Sequence, residues 1–259
     1  VKLTFLGTGT SFGVPMIGCH CVVCRSPDPR DRRTRVGAVV ETDRGTRILL
    51  DTPPELRIQL IASGIDRVDA VVFTHDHADH THGLDDLRAI SVRREGALPM
   101  YGSAATLAAL ARKFPYVFDE AIRPLPGTSK PEGHAHVLAP FVPVAIGDAT
   151  VTPVPLPHGE VTVYGYRIGD LAYVTDAKRV PPEALAVLAG AQVLVINALF
   201  RTEHPTHLSI PEAVEVARAV GAERTYLTHL THDNFHADLE AELPRGITPA
   251  FDGLTVRID

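Results

Sequence analysis

Strand-length apolar or alternating runs recur along the whole chain, at 2–6, 37–42, 47–51, 70–74, 149–154, 163–168, 171–175, 192–197, 224–227 and 254–258. Segments with helical periodicity fall between some of them, at 54–63, 84–94, 104–113, 182–189, 211–220 and 238–243. Pro182 and Pro211 suit a first helical turn, where a missing N–H costs nothing, and Ser209 is placed to cap the helix that follows it. The strands come in blocks, with a helix only after some of them. That pattern predicts stacked mixed sheets covered by helices rather than a strictly alternating βαβ domain. Residues 125–143 are rich in Pro and Gly and carry His134 and His136, which predicts a surface insertion or lid. No repeat or low-complexity tract divides the chain, so 1–259 reads as a single α/β domain.

Composition changes this picture in three places. The formal charge of −6 gives no global attraction for nucleic acid, although residues 25–35 hold five arginines against Asp28 and Asp31. No apolar stretch approaches the ~18 residues that cross a bilayer, and the opening run turns at Gly7, too short for a secretory leader. A cytoplasmic protein is expected. The three cysteines, Cys19, Cys21 and Cys24, fall within six residues, which points to a metal or reactive thiols in a reducing compartment. Histidine is the outlier, with 13 residues against six Tyr and no Trp.

The densest chemistry is Thr74-His75-Asp76-His77-Ala78-Asp79-His80, directly after an apolar strand. His75 and His77 share a face in extended geometry, and the following turn can aim Asp79 and His80 at a second ion. His158, Asp176 and His229 each stand just beyond another predicted strand, where α/β sheets build their sites. A polar loop or a capping role would explain any one of them alone, but not their shared placement.

In this order the residues resemble the metallo-β-lactamase superfamily. The resemblance implies an αββα sandwich with a dinuclear site in the cleft between its edges. It would put His75, His77 and His158 on one metal and Asp79, His80 and His229 on the other, with Asp176 bridging. Imidazole suits zinc, and a carboxylate bridge also admits manganese or iron. Two such ions can share a hydroxide nucleophile and clamp a phosphoryl oxygen.

Cys19-His20-Cys21-Val22-Val23-Cys24 supplies three soft ligands, which cannot close a tetrahedron alone. His20 lies between two ligands and should point away. His232 could reach across if the N-terminal loop packs beside the site. Free buried thiols are the alternative. With Gly7-Thr8-Gly9-Thr10-Ser11-Phe12-Gly13-Val14-Pro15, the cluster Pro205-Thr206-His207 and the run Thr228-His229-Leu230-Thr231-His232, the loop 8–35 is similar to PhnP-type phosphodiesterases, which hydrolyse phosphoribosyl cyclic phosphate. That similarity implies a structural zinc on Cys19, Cys21, Cys24 and His232. It makes His207 a general acid and places Asp79 among the catalytic residues.

Several neighbours receive lesser roles. Gly7 and Gly9 read as a tight turn at the cleft floor, since the rest of a nucleotide-binding fingerprint is missing. His82 and His204 are expected to back the ligands and His207. Asp85 and Asp86 are expected to cap the helix at 84–94, while Arg33 and Arg35 either meet substrate phosphate or form a solvated run. The expected partner is a small phosphodiester, with nucleic acid and membrane disfavoured and a homodimer left open. The rival functions are a tRNA 3′-end processing endonuclease and a metal-bound module without hydrolytic activity.

Overall fold

The computed structural model describes residues 1–94 and 96–259. Its first sheet takes β1 (Lys2–Gly7), β2 (Gly37–Glu41), β3 (Arg47–Leu50), β4 (Ala70–Val72), β5 (Leu98–Gly102) and β6 (Gly133–Val137). The second takes β7 (Val144–Ile146), β8 (Ala149–His158), β9 (Val161–Ile168), β10 (Leu171–Val174), β11 (Val193–Asn197), β12 (Arg224–Thr228) and β13 (Ile247–Pro249). The last strand, β14 (Thr255–Arg257), returns to the first sheet beside β1. The orders are β14-β1-β2-β3-β4-β5-β6 and β13-β12-β11-β10-β9-β8-β7.

Period-two alternation explains the layering. Ile48 and Leu50 of β3 face inward and join Leu3, Phe5, Tyr166, Tyr173 and Val195 in the core between the sheets. Leu49, between them, faces outward under Leu56, Leu60 and Leu107. These outer residues belong to α1 (Leu56–Ala62) and, after α2 (Ala78–Thr81) and α3 (Arg88–Arg93), to α4 (Ala104–Lys113), which the short α5 (Pro115–Phe118) follows. The second sheet's outer face, with Leu194 and Ile196, is covered by α6 (Pro182–Leu188), α7 (Ile210–Val220) and α8 (His236–Glu242). Strands buried on both faces read as nearly continuous apolar runs. The architecture is the expected αββα sandwich, and no helix among the described residues is long and apolar enough to cross a membrane.

Helix ends follow local chemistry. The Ser209 hydroxyl accepts from the Glu212 amide while the Glu212 carboxylate accepts from the Ser209 amide, a capping box opening α7. At its other end Gly221 adopts φ 71°, a left-handed cap that costs glycine little.

Two sequence expectations need correction. Residues 125–143 are no lid throughout, because Gly133–Val137 forms the parallel edge strand of the first sheet, paired with β5. Its signal is weak because an edge strand exposes half its residues and His134 and His136 occupy the alternating positions. Strand β8 also runs to His158, past the predicted end at 154, despite Pro153, Pro155 and Pro157. Those prolines pair opposite Tyr166, Tyr164 and Thr162, two residues apart, so their missing N–H groups all fall on one edge. Strand β7 covers that edge only as far as Val151, so no ladder bond is lost.

Candidate metal centre and active site

Chain direction brings the functional residues together. β3, β4 and β5 run parallel, as do β10, β11 and β12, so their C-terminal ends open on one edge of the sandwich. The Tyr166 hydroxyl donates to the Phe73 carbonyl at 2.6 Å and the Tyr164 amide donates to the Thr74 carbonyl at 2.8 Å, tying the two sheets together there.

At that edge His75, His77, His158 and Asp176 present donor atoms that all lie within 4.8 Å of one another. Asp79, His80, Asp176 and His229 form a second such group, with Asp176 common to both. The partition is the one the family resemblance implies. His80 Nε2 lies 3.3 Å from Asp176 Oδ2 and 3.6 Å from Asp79 Oδ2, and His229 Nε2 lies 3.4 Å from Asp176 Oδ1.

Hydrogen bonds fix which imidazole nitrogen faces inward. His80 donates from Nδ1 to Asp51 at 2.8 Å, and His158 donates from Nδ1 to the Thr206 carbonyl at 2.9 Å. The Thr74 hydroxyl gives its hydrogen to Asp51, so its oxygen accepts from His75 Nδ1 at 3.0 Å. Each ring therefore turns Nε2 toward the cleft, the nitrogen that a metal ligand held through Nδ1 offers. Nε2 of His75, His80 and His229 is buried without a hydrogen-bond partner. Such orphaned nitrogens beside carboxylates fit divalent cations.

Electrostatics agree. Burial opposes a charge on His80, yet Asp176, Asp79 and Asp51 lift its pKa well above the ordinary value. Burial likewise opposes ionisation of Asp176, but His229 and His80 hold its carboxyl well below the usual range. The cleft attracts positive charge. Asp51, Asp176 and His229 sit at φ of 62°, 59° and 59°, a left-handed region that non-glycine residues seldom occupy. Strain of this kind at three site residues is characteristic of a site whose geometry is set by the surrounding fold.

His207 belongs to neither donor group. Its Nε2 lies 3.4 Å from Asp176 Oδ2, and its Nδ1 donates to the Thr206 hydroxyl at 2.9 Å. That hydroxyl and the Thr206 amide both reach His204 Nδ1, which places His204 behind His207 as expected.

The cysteine loop forms a separate centre. Cys19, Cys21 and Cys24 place their sulfurs 3.3, 3.5 and 3.3 Å from His232 Nδ1, and His20 is exposed. Sγ and Nδ1 atoms converging this closely fit a closed four-ligand zinc site. The Cys24 amide, donating at 3.4 Å, leads the contacts that hold the Cys21 thiol down to about 7.

Other expectations change. His82 is exposed and edges against Phe114, because as the residue ending α2 it turns from the cleft. Asp85 and Asp86 make no capping bond; Asp85 pairs with Arg88 at 2.6 Å and Asp86 accepts from the Arg57 amide. Arg33 is buried, donating to Thr8 and the Ala250 carbonyl, and Arg35 pairs with Glu55 at 2.7 Å, so neither is a solvated or phosphate-facing arginine here. Gly7 and Gly9 lie in extended chain rather than a turn. A Cβ at Gly7 would collide with the Arg35 carbonyl. Asp51 and Thr206 were not evident as site residues from sequence. Asp51 had the same signal as Asp176, an acid just past an apolar strand, whereas Thr206 had none beyond its place beside His207.

Comparison with known proteins agrees with this geometry. The model of the β-lactamase superfamily domain matches residues 46–230. A crystal structure of a diphosphatase from the PhnP family superposes with a TM-score of 0.90 at 40% identity, covering 98% of this chain and 96% of that one. An octanoyltransferase of Porphyromonas gingivalis is 41% identical over 264 residues, covering 100% of this chain but 52% of that protein. The chain thus spans about half of that relative's length. Ribonuclease Z of Methanopyrus kandleri is 29% identical, covering 89% of this chain and 94% of that protein. The chain belongs to the metallo-β-lactamase superfamily. Within it, the chain is similar to the PhnP-family diphosphatase along nearly its whole length.

Proposed function

We propose that this hydrolase cleaves a small phosphoric diester or diphosphate, with His207 as the acid for the leaving oxygen. The observation that carries the reading is the position of His207: beside the shared Asp176, aimed into the cleft, and outside both donor groups. The diphosphatase neighbour supports the phosphoryl chemistry. The cyclic ribosyl phosphate implied by the sequence resemblance is one member of the class.

His75, His77, His158 and Asp176 would hold one divalent ion, zinc or manganese, and Asp79, His80, Asp176 and His229 a second. Bound there, the pair supplies Lewis acidity at the phosphoryl oxygens and activates water. Asp51 and Thr206 orient His80 and His158 for that task. His207 donates from Nδ1 to the Thr206 hydroxyl, so it carries a second proton on Nε2 only as the imidazolium, which burial opposes and the neighbouring Asp176 carboxylate favours. In that form it would pass the Nε2 proton to the departing alkoxide and be left as the neutral Nδ1–H imidazole. A placed acid of this kind contributes ~10²–10⁴ in rate. Cys19, Cys21, Cys24 and His232 would hold a third ion with a structural role.

Comparing leaving groups tests this reading. His207→Ala should cripple hydrolysis of an alkyl phosphodiester and cost far less on a p-nitrophenyl ester, whose anion departs unaided. Its metal content should stay at the wild-type level. Equal losses on both esters would remove the acid role.

The ribonuclease Z similarity favours a second reading, processing of tRNA 3′ ends. The charge of −6 weighs against an RNA grip. Salt-dependent cleavage of precursor tRNA would establish it. Octanoyl transfer is not carried over, since half of that relative lies outside the match.

A further inference from the structure

Two separate cavities flank the donor groups, and they differ in chemistry. One, of about 560 Å³, is reached by His75 and Asp76 and bordered by Ser103, Arg112 and Thr162. The other, of about 290 Å³, is bordered by Phe12, Met16, Leu199, Phe200, His204 and His207. They share no lining residue. Among the described residues, no Asp, Glu, Lys or Arg lines the smaller one.

The proton-donating residue locates the leaving group. A general acid must touch the departing oxygen, so the group attached to that oxygen extends into the cavity that His207 borders. That cavity is small, with aromatic rings beside the hydroxyls of Thr10, Ser11 and Thr231. Phe200 and His204 have ring centroids 5.7 Å apart, His204 and His207 5.3 Å, and His207 stacks on His229 at 4.8 Å with planes 21° apart. Phe200, His204 and His207 form one continuous wall of this cavity, and His229 backs it from outside. Phe12 stands at the same cavity with 68% of its surface exposed, a large ring with little packing of its own. A planar heterocycle would stack on these rings and meet the hydroxyls of Thr10, Ser11 and Thr231 with its polar edge, whereas a bare sugar has no aromatic face to offer them.

We infer, building on the phosphoryl-hydrolase reading, that the substrate is acyclic and its leaving group carries a nucleoside whose base stacks in the Phe12–Phe200 cavity, while the other substituent of phosphorus occupies the Arg112 side. A monocyclic sugar phosphate keeps both ester oxygens on one small body and would use only one of the two cavities.

Calorimetric titration of the metal-loaded protein with adenosine, ribose and 1-octanol tests this, beside turnover of bis(p-nitrophenyl) phosphate. Adenosine should bind and compete with the ester, and ribose should do neither. Phe12→Ala should weaken adenosine on the order of ten-fold or more, as loss of a base–aromatic stack does. Ile58→Ala, which removes an exposed side chain of α1, should leave adenosine binding unchanged. Equal binding of ribose and adenosine, binding of 1-octanol in place of adenosine, or an unaltered constant in Phe12→Ala would overturn the inference. Failure to turn over the ester would instead remove the hydrolase reading beneath it, so the two failures are told apart.

Discussion

At the scale of single residues, the site depends on a few groups that touch no reacting atom. Asp51 is completely buried, accepts from the Thr74 amide and hydroxyl, and receives the His80 Nδ1 proton. Asp51→Asn keeps the shape but offers an amide where a carboxylate held the ring. Partners of this kind contribute ~10–100-fold in metal affinity or activity. Asp51→Asn should therefore lose metal at a chelator concentration that leaves wild type loaded, and unchanged retention would separate Asp51 from the centre. Thr206 acts twice, through its carbonyl on His158 and its hydroxyl on His207. Thr206→Val removes only the hydroxyl. It should lower turnover of an alkyl diester more than of a p-nitrophenyl ester while metal content holds, and a matching loss on both would place the defect at His158. The donor residues themselves were legible because a cluster of histidines after an apolar strand has few other uses. Asp51 carried the same signal as Asp176, an acid just past an apolar strand, but its partner His80 stands 29 positions away. Thr206 carried none, since its role rests on a contact across 48 positions.

At the scale of elements, the cysteine loop does more than close on itself. Phe12, Met16 and His232 border the small cavity, so the loop that carries the thiols also supplies a wall beside His207. Thiolate ligands hold zinc tightly, while the cleft donors are open to solvent at His77. Mild chelation should leave about one zinc per chain, and loss of every ion at one chelator concentration would contradict two classes of site. Cys21→Ser should lower stability and raise KM more than it lowers kcat, because it loosens a wall and spares the donors of the cleft. A fall in kcat alone would show that the loop acts on chemistry directly. Elements with two buried faces, such as β3 and β11, were plain in the sequence. β6 was hidden because an edge strand has one neighbour and needs little apolar surface, and β5 because Pro99 and the alternating Leu98, Met100 and Gly102 resemble a loop.

At the scale of the whole molecule, the cysteine loop reaches its place through a buried polar network that joins distant parts of the chain. Ser26 donates to Asp31, whose other oxygen accepts from the His236 amide at 2.6 Å. Arg33 donates to Thr8 and the Ala250 carbonyl and to His236 Nδ1 at 3.3 Å, while Asp252 accepts from Thr8 and from Thr34. Residues separated by more than 200 positions are thereby locked together, and the wall of the small cavity is anchored to α8. Burial, followed by the positive charges of Arg33 and Arg30, pushes His236 down to about 4, against the opposing pull of Glu240 and Asp28. An unfolded chain protonates this imidazole near pH ~6.5, whereas the folded one resists until about 4. The unfolded state then binds more protons in that window, so the stability from a neutral His236 is full above pH ~6.5. It declines as pH falls toward 4 and drops no further below it. His236→Asn cannot titrate. With metal saturation held constant, its Tm should be lower at neutral pH but fall less steeply than that of wild type between pH ~6.5 and 4. Parallel slopes would mean that His236 titrates alike in the folded and unfolded states and that acid acts on the fold elsewhere.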